Sequence, residues 1–218
     1  MKASDFIDKT VSANDGEIGK LRDLFFDHDT WTIRYLVVET GGWLSRHQVL
    51  LPTASAAWHT EQDSLTVDAS KDGVEKSPDI SLQKPVSREA ELLLGKYWQW
   101  TPYWTEAPLT DEMAANIDSE ATSNTKAQMQ DLVQSHLRSV AELTGYKLAA
   151  VDKTFGKVED FEVDAATWRI EAIIVDRHPL LPGGRARVER DHIDSVDWAR
   201  ESIAIDLLSE EVKKVNSP

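Results

Sequence analysis

Apolar and polar residues alternate along this chain in short runs broken by turn residues. Gly19 to Asp27 shows a partial period of two, with Leu21, Asp23 and Phe25 set against Lys20, Arg22, Leu24 and Phe26. That alternation predicts a strand with two unlike faces. Trp31 to Glu39 follows, dense in Trp31, Thr32, Ile33, Tyr35, Val37 and Val38, residue types that suit a pleated surface. Asp27-His28-Asp29-Thr30 lies between the two runs and predicts a hairpin connection. Asn14-Asp15-Gly16 is a second turn signal, Gly41-Gly42 breaks the chain after the Trp31–Glu39 run, and Val49-Leu50-Leu51 and Leu65-Thr66-Val67 supply further short strands. Five or six strands with tight turns in roughly 70 residues predict a small barrel, which leaves no open sheet edge. Short helices are expected at Ser70–Glu75 and Ser209–Val215, with Ser70 and Ser209 as N-caps.

The same pattern occurs twice. With an offset of 137, Asp15 to Glu39 aligns without a gap on Asp152 to Asp176. Asp15/Asp152, Gly19/Gly156, Lys20/Lys157, Asp23/Asp160, Asp27/Asp164, Thr30/Thr167, Trp31/Trp168, Ile33/Ile170 and Val38/Val175 are identical, 9 of 25 positions. Leu21/Val158, Leu24/Phe161, Phe26/Val163 and Leu36/Ile173 keep apolar character. After a short length difference, Ser64 to Asp68 falls on Ser202 to Asp206. One unit of roughly 80 residues is therefore present in two copies, the first question to settle in any fold assignment. The expected organisation is a first barrel over 1–80, a linker over 81–136 and a second barrel over 137–218.

The linker has no counterpart in either copy. It contains the run Tyr97-Trp98-Gln99-Trp100-Thr101-Pro102-Tyr103-Trp104 and the polar stretch Asp118 to Thr125, which reads as a flexible connector. A helical turn or two is expected within Arg88–Trp98. Lys126 to Leu143 carries Met129, Leu132, Val133 and Leu137 at helical spacing. A helix ending near Ser135 is expected there, followed by a strand where Val140–Leu143 aligns with Ala3–Phe6.

Composition narrows the function classes. The chain has 24 basic and 38 acidic residues, a formal charge of −14. That charge opposes nucleic-acid binding, which depends on basic residues replacing counterions, and opposes docking on anionic lipid. Cysteine is absent, so disulfides, thiolate nucleophiles and Cys-ligated metals are excluded. No stretch suits a signal peptide or approaches the ~20 apolar residues of a membrane span. The expected location is the cytoplasm, with no direct membrane insertion.

On these residues the chain resembles a known family. Asp15-Gly16-Glu17-Ile18-Gly19-Lys20, followed by Thr30 to Leu44, resembles the PRC-barrel family, named for the barrel in the cytoplasmic domain of the photosynthetic reaction-centre H subunit. The pattern returns from Leu137-Arg138-Ser139 through Gly145-Tyr146 to Asp176. The likeness is greatest to the soluble bacterial members with two barrels. It implies a mainly β fold: two small PRC-like β-barrels in tandem, with short helices and an aromatic-rich connecting segment. The family offers no catalytic signature to carry over, so no catalytic residue, cofactor or metal ligand is expected.

The residues themselves agree with that expectation. His28, His47, His59, His136, His178 and His192 include no His-x-x-x-His pair, and metal sites built on histidine usually show a close pair. His28 stands where the second copy has Ala165. Asp23/Asp160 and Asp27/Asp164 recur, which could support acid–base chemistry, but a structural role in bonding turn amides explains the recurrence better. Gly19 and Gly156 read as strand-entry or bulge glycines, and no phosphate-binding glycine motif or Gly-x-Ser-x-Gly is present. The expected interaction surface is Tyr97, Trp98, Trp100, Tyr103 and Trp104, because Trp and Tyr dominate binding hot spots; the competing expectation is that the run packs over or between the barrels. The reading is a non-enzymatic protein-interaction or assembly module, whose partners are an unidentified protein and a second copy of the chain in a homodimer. The alternatives are a small-molecule binder or enzyme with a site between the barrels near Trp98–Trp104, and an assembly factor for a membrane complex like the reaction centre.

Overall fold

The computed structural model describes residues 1–41, 47–78, 86, 88–100, 103, 137–177 and 184–212. The chain is mainly β. Its strands are β1 (Thr10–Ala13), β2 (Gly16–Asp27), β3 (Thr32–Thr40), β4 (Gln48–Pro52), β5 (Ala56–His59), β6 (Ser64–Val67), β7 (Leu137–Ser139), β8 (Lys147–Ala149), β9 (Thr154–Asp164), β10 (Arg169–Asp176), β11 (Arg185–Glu189), β12 (Ile193–Asp197) and β13 (Ser202–Ile205). Four short α-helices are described: α1 (Ala3–Phe6), α2 (Lys71–Glu75), α3 (Arg88–Trp98) and α4 (Val140–Leu143).

All these strands join one hydrogen-bonded sheet whose order mirrors itself about the contact between β3 and β10. Outward from that contact the order is β3-β2-β1-β6-β5 on one side and β10-β9-β8-β13-β12 on the other. β4 branches from β3 as β11 branches from β10. The pairs β1–β6 and β8–β13 are parallel, and the other pairs are antiparallel. At the centre, Ile33 N–H donates to the Trp168 carbonyl at 2.8 Å and Ile170 N–H to the Trp31 carbonyl at 2.9 Å, the same bond made in both directions.

A β-bulge shapes the long strands. The β2–β3 register slips between Leu21 and Asp23, opposite Val38 and Val37. The β9–β10 register slips at the matching place, between Val158 and Asp160. One extra residue, Arg22 or Glu159, is inserted in each strand, and the strand face changes over there. Leu21 and Leu24, three residues apart, consequently both reach the main core, as do Val158 and Phe161. The simple alternation expected for Gly19 to Asp27 is thus interrupted, and Phe25 alone faces outward into a second cluster.

The residue after each bulge is an aspartate that is only 9 % exposed in both copies. Its partners come from the opposite half of the chain. Asp23 accepts the Ser139 hydroxyl and, at 3.2 Å, the Ala141 N–H, at the N-terminus of α4, where Ser139 also caps Glu142 N–H at 3.1 Å. Asp160 accepts the Ser4 hydroxyl and, at 3.1 Å, the Ser4 N–H of α1. Backbone pairing follows the same exchange: β7 pairs with β2, Phe25 facing Ser139, and Lys2 bridges Glu162 on β9. The strand expected at Val140–Leu143 is therefore a helical turn, as is Ala3–Phe6, because each supplies amides to a buried carboxylate.

The main core runs without a break through both halves. Phe6 of α1 lies 4.9 Å from Trp58 and 5.5 Å from Trp168, ring centre to ring centre. Trp31 and Trp168 are both buried and both left-handed, at φ 54° and 58°. Their hairpins need that conformation: Trp31 N–H returns to the Asp27 carbonyl and Trp168 N–H to the Asp164 carbonyl, each at 2.7 Å. Backbone strain for a bulky residue there is about 1–2 kcal/mol, and burial of the indole offsets it.

Two further expectations change. Arg88–Trp98 is a full helix of 11 residues. Ser70 caps α2 through Gly73 N–H at 3.1 Å, but Ser209 does not start a helix within the described residues; it donates its N–H and hydroxyl to Asp152, each at 2.8 Å. The polar stretch at 118–125 and the helix expected to end near Ser135 lie outside the described residues.

A Cβ at Gly19 would sit 2.1 Å from the Glu39 carbonyl oxygen, and one at Gly156, where φ is 63°, 2.5 Å from that of Asp176. Gly156→Ala is expected to cost about 1–3 kcal/mol in urea unfolding; an unchanged midpoint would show that the strand crossing relaxes freely. Asp23→Ala and Ser139→Ala are each expected to destabilise by about 1–3 kcal/mol with a favourable coupling between them in a double-mutant cycle, whereas additive losses would show that the cross-half bond is not formed.

Candidate functional site

Of the residues expected to form an interaction surface, the structure brings Trp98, Trp100 and Tyr103 to one face of the N-terminal half, Tyr97 lies beside Trp98 with ring centres 5.0 Å apart, and Trp104 lies outside the described residues. That face belongs to β2, β3 and β4. It presents Phe25, Tyr35, Val37 and Leu50, completed by Val86, Leu94 and Leu137. Helix α3 and the residues after it lie on top. Trp98 and Trp100 stack with parallel rings 6.2 Å apart, Trp100 approaches Tyr35 at 6.1 Å, and the Arg34 guanidinium sits 4.1 Å from the Tyr103 ring centre. The Tyr97 hydroxyl donates to the Gly73 carbonyl at 2.7 Å, which ties the run to α2.

Among the described residues the cover lies on one half, and the two faces differ chemically. At the aligned positions of the C-terminal half, Phe25, Tyr35, Val37 and Leu50 become Glu162, Ala172, Ile174 and Arg187. There Arg187 bonds Glu162 at 2.7 Å, and Arg185 pairs with Glu159 beside it. A face already closed by ion pairs does not need an aromatic lid. The aromatic run therefore packs against a barrel face, yet Tyr97, Trp98, Trp100 and Tyr103 all remain half-buried rather than fully enclosed.

Sequence reasoning missed Glu91. It is 1 % exposed, and the Tyr35 hydroxyl donates to its carboxylate at 3.2 Å. Burial, followed by the Glu91 charge, pushes the Tyr35 phenol well above its ordinary pKa. The signal was present in the spacing: Glu91, Leu94 and Trp98 fall on one helical face.

A second feature lies where the halves meet. The Asp27–Thr32 hairpin faces a 3₁₀ turn, Arg190–His192, and β12. Between them is a cleft of about 380 Å³ lined by His28, Asp29, Trp31, Arg190, Ile193, Asp194, Ser195, Val196 and Trp198. Trp198 is held from several sides. The Arg138 guanidinium lies 4.2 Å from its ring centre, Tyr146 6.2 Å and His28 5.7 Å. His28 Nε2 is 3.3 Å from Asp29. The cleft is between the halves, as the small-molecule alternative expects, but its aromatic wall is Trp31 and Trp198 rather than Trp98 to Trp104.

The remaining sequence candidates are absorbed by structure. Asp27 accepts Asp29 N–H at 2.9 Å, and Asp164 accepts Ala166 N–H at 2.8 Å and the Thr167 hydroxyl at 2.9 Å. His59 meets the Thr66 hydroxyl at 2.8 Å and His192 meets Asp206 at 2.9 Å; His136 and His178 lie outside the described residues. Among the described residues no three His, Asp or Glu side chains converge to hold a metal, and no helix is long and apolar enough to cross a membrane.

The mainly β fold agrees with comparison to known families. Residues 1–74 match the PRC-barrel domain family, and the chain carries a PRC-barrel domain over that stretch. No curated protein matches the chain.

The Ala166 amide, then the Thr167 hydroxyl, hold the Asp164 carboxyl below the usual carboxylate range. A depressed folded-state pKa stabilises the protein above the ordinary value near 4 and is lost as pH falls through the folded value. The difference in Tm between the parent protein and Asp164→Ala is therefore expected at pH 6 and should shrink below about pH 4. A gap that stays constant down to pH 2.5 would show that the carboxylate is not the stabilising species.

Proposed function

We propose that this chain is a non-enzymatic PRC-barrel protein that works as a protein-interaction or assembly module in the cytoplasm. In this reading residues 1–80 and 137–218 are two PRC-like barrels and 81–136 joins them. The observation that carries it is the aromatic cover. Among the described residues, an apolar outer face with a half-buried layer of Trp98, Trp100 and Tyr103 occurs on one half only. The aligned face of the other half manages with ion pairs, so the barrel itself does not require the layer. Half-exposed Trp and Tyr on a rigid base supply contact area at low entropic cost. The recurring carboxylates support a non-catalytic role, since Asp23, Asp27, Asp160 and Asp164 are all engaged by amides or hydroxyls. The charge of −14 disfavours nucleic acid and anionic membranes as partners.

The simplest partner is a second copy. Static light scattering at tens of micromolar is expected to give twice the 24.5 kDa chain mass, and Trp100→Ala with Tyr103→Ala should return the monomer with the far-UV spectrum unchanged. A parent protein that is monomeric under these conditions removes the homodimer. Crosslinking pull-downs with and without residues 97–104 then test a different protein partner: a partner retained after the deletion overturns the assignment of this surface.

A further inference from the structure

The cleft between the halves can be judged against its own counterpart, because the chain builds the same place twice. Across the mirror of the sheet, His28 and Asp29 correspond to Ala165 and Ala166, and Arg190 and Ile193 correspond to Thr53 and Ala56, while Asp194 is the extra residue of a bulge in β12 that β5 lacks. Both 3₁₀ turns, Thr53–Ser55 and Arg190–His192, are formed, and both hairpins close with the same Asp–Trp bond. The fold thus completes this junction using alanine and threonine. The charged groups at the other junction answer no folding requirement. They are also not scattered: they share one concave site of about 380 Å³ with a fixed indole and two aliphatic side chains.

We propose that this cleft binds a zwitterionic α-amino acid with an apolar side chain. Its lining carries charges of both signs. Arg190 supplies a guanidinium whose Nη1 is 3.6 Å from Asp191, too long for a hydrogen bond. Arg190 Nε is buried with no hydrogen-bond partner among the described residues. A carboxylate entering the cleft gives this guanidinium the charge-assisted partner it lacks. Asp194, four residues on, is exposed and contacted only by the neighbouring Ser195 hydroxyl at 3.3 Å among the described residues; it can receive an ammonium group. Trp31, Ile193, Val196 and Trp198 form the apolar wall for the side chain. Trp198 is positioned before any ligand arrives, by Arg138 on one face and by Tyr146 and His28 at its edges, which lowers the ordering cost of binding. A purely anionic ligand would meet Asp29 and Asp194, and a purely cationic one would meet Arg190. Only a ligand bearing both charges satisfies the lining.

The test uses the full chain, with L-phenylalanine and L-leucine as probes, followed by calorimetry and by the Trp198 indole N–H resonance in NMR, assigned with Trp198→Phe. Saturable binding is expected. N-acetyl-L-phenylalanine and phenethylamine, which each lack one charge, should bind at least about tenfold more weakly. Arg190→Gln and Asp194→Asn, both at partly or fully exposed positions, should each weaken binding about tenfold. Lys76→Gln on α2 should leave it unchanged. Three results overturn the proposal: no saturable binding of either amino acid up to millimolar concentration, equal binding of phenethylamine or the N-acetyl derivative, or unaltered affinity in folded Arg190→Gln.

Discussion

A carboxylate set into a β-strand and shielded from water is costly unless hydrogen-bond donors reach it. Asp23 and Asp160 are in that position, each 9 % exposed. Each accepts its neighbour's amide, Leu24 or Phe161, at 2.8 Å, and then relies on a helix from the other half of the chain. This reciprocal dependence governs the architecture. Hydrogen bonds to each of these carboxyls cross between the halves and tie the two together. The two central backbone bonds through Trp31 and Trp168, and a core without an internal boundary, follow from the same exchange. The bulges at Arg22 and Glu159 are what make it possible, because they let the strand keep Leu21 and Leu24 in the core while the aspartate between them turns toward the opposite helix.

Much of this was legible in the sequence because it rests on local chemistry that was written twice. The Asp–x–x–Thr–Trp hairpins, the close-approach glycines and the burial of both tryptophans are each set by a few neighbouring residues. Gly19 and Gly156 show this most clearly, since any side chain would strike the carbonyl oxygen of Glu39 or Asp176. The bulge was not legible. An inserted residue leaves composition unchanged and only blurs the alternation, so Gly19 to Asp27 gave a partial period and nothing more. The partners of Asp23 were hidden for another reason: Ser139 lies 116 residues away, and turn chemistry offers a nearer explanation for any conserved-looking aspartate. Glu91 shares a helical face with Leu94 and Trp98, but its partner, the Tyr35 hydroxyl, lies 56 residues away.

A duplicated chain contains its own control. Where both copies keep a residue, the fold is a sufficient reason for it. Where one copy replaces it by alanine and still forms the same turn, folding is not the reason. This comparison sorts features more sharply than burial or charge does alone. It assigns Asp15 and Asp152 to structure, because each holds the segment after the last strand of its half, through Lys71 N–H and Ser209 N–H at 2.8 Å. It sets apart two regions, the aromatic layer over β2–β4 and the charged cleft at the junction.

Those two regions differ in the kind of contact they can make. The layer is broad, shallow and aromatic, and its residues stack on one another, so it suits a large partner that covers many rings at once. The cleft is small, and its lining sets charges of both signs beside two indoles, Trp31 and Trp198, so it suits a small ligand. The reversal of His28 is instructive here. Its absence from the second copy argues against a role in the barrel, yet that same absence is what an added site requires. Asymmetry imposed on a symmetric frame is the least expensive way for a folded chain to acquire a specific surface, because the frame is already stable and each new side chain has only its own local surroundings to satisfy.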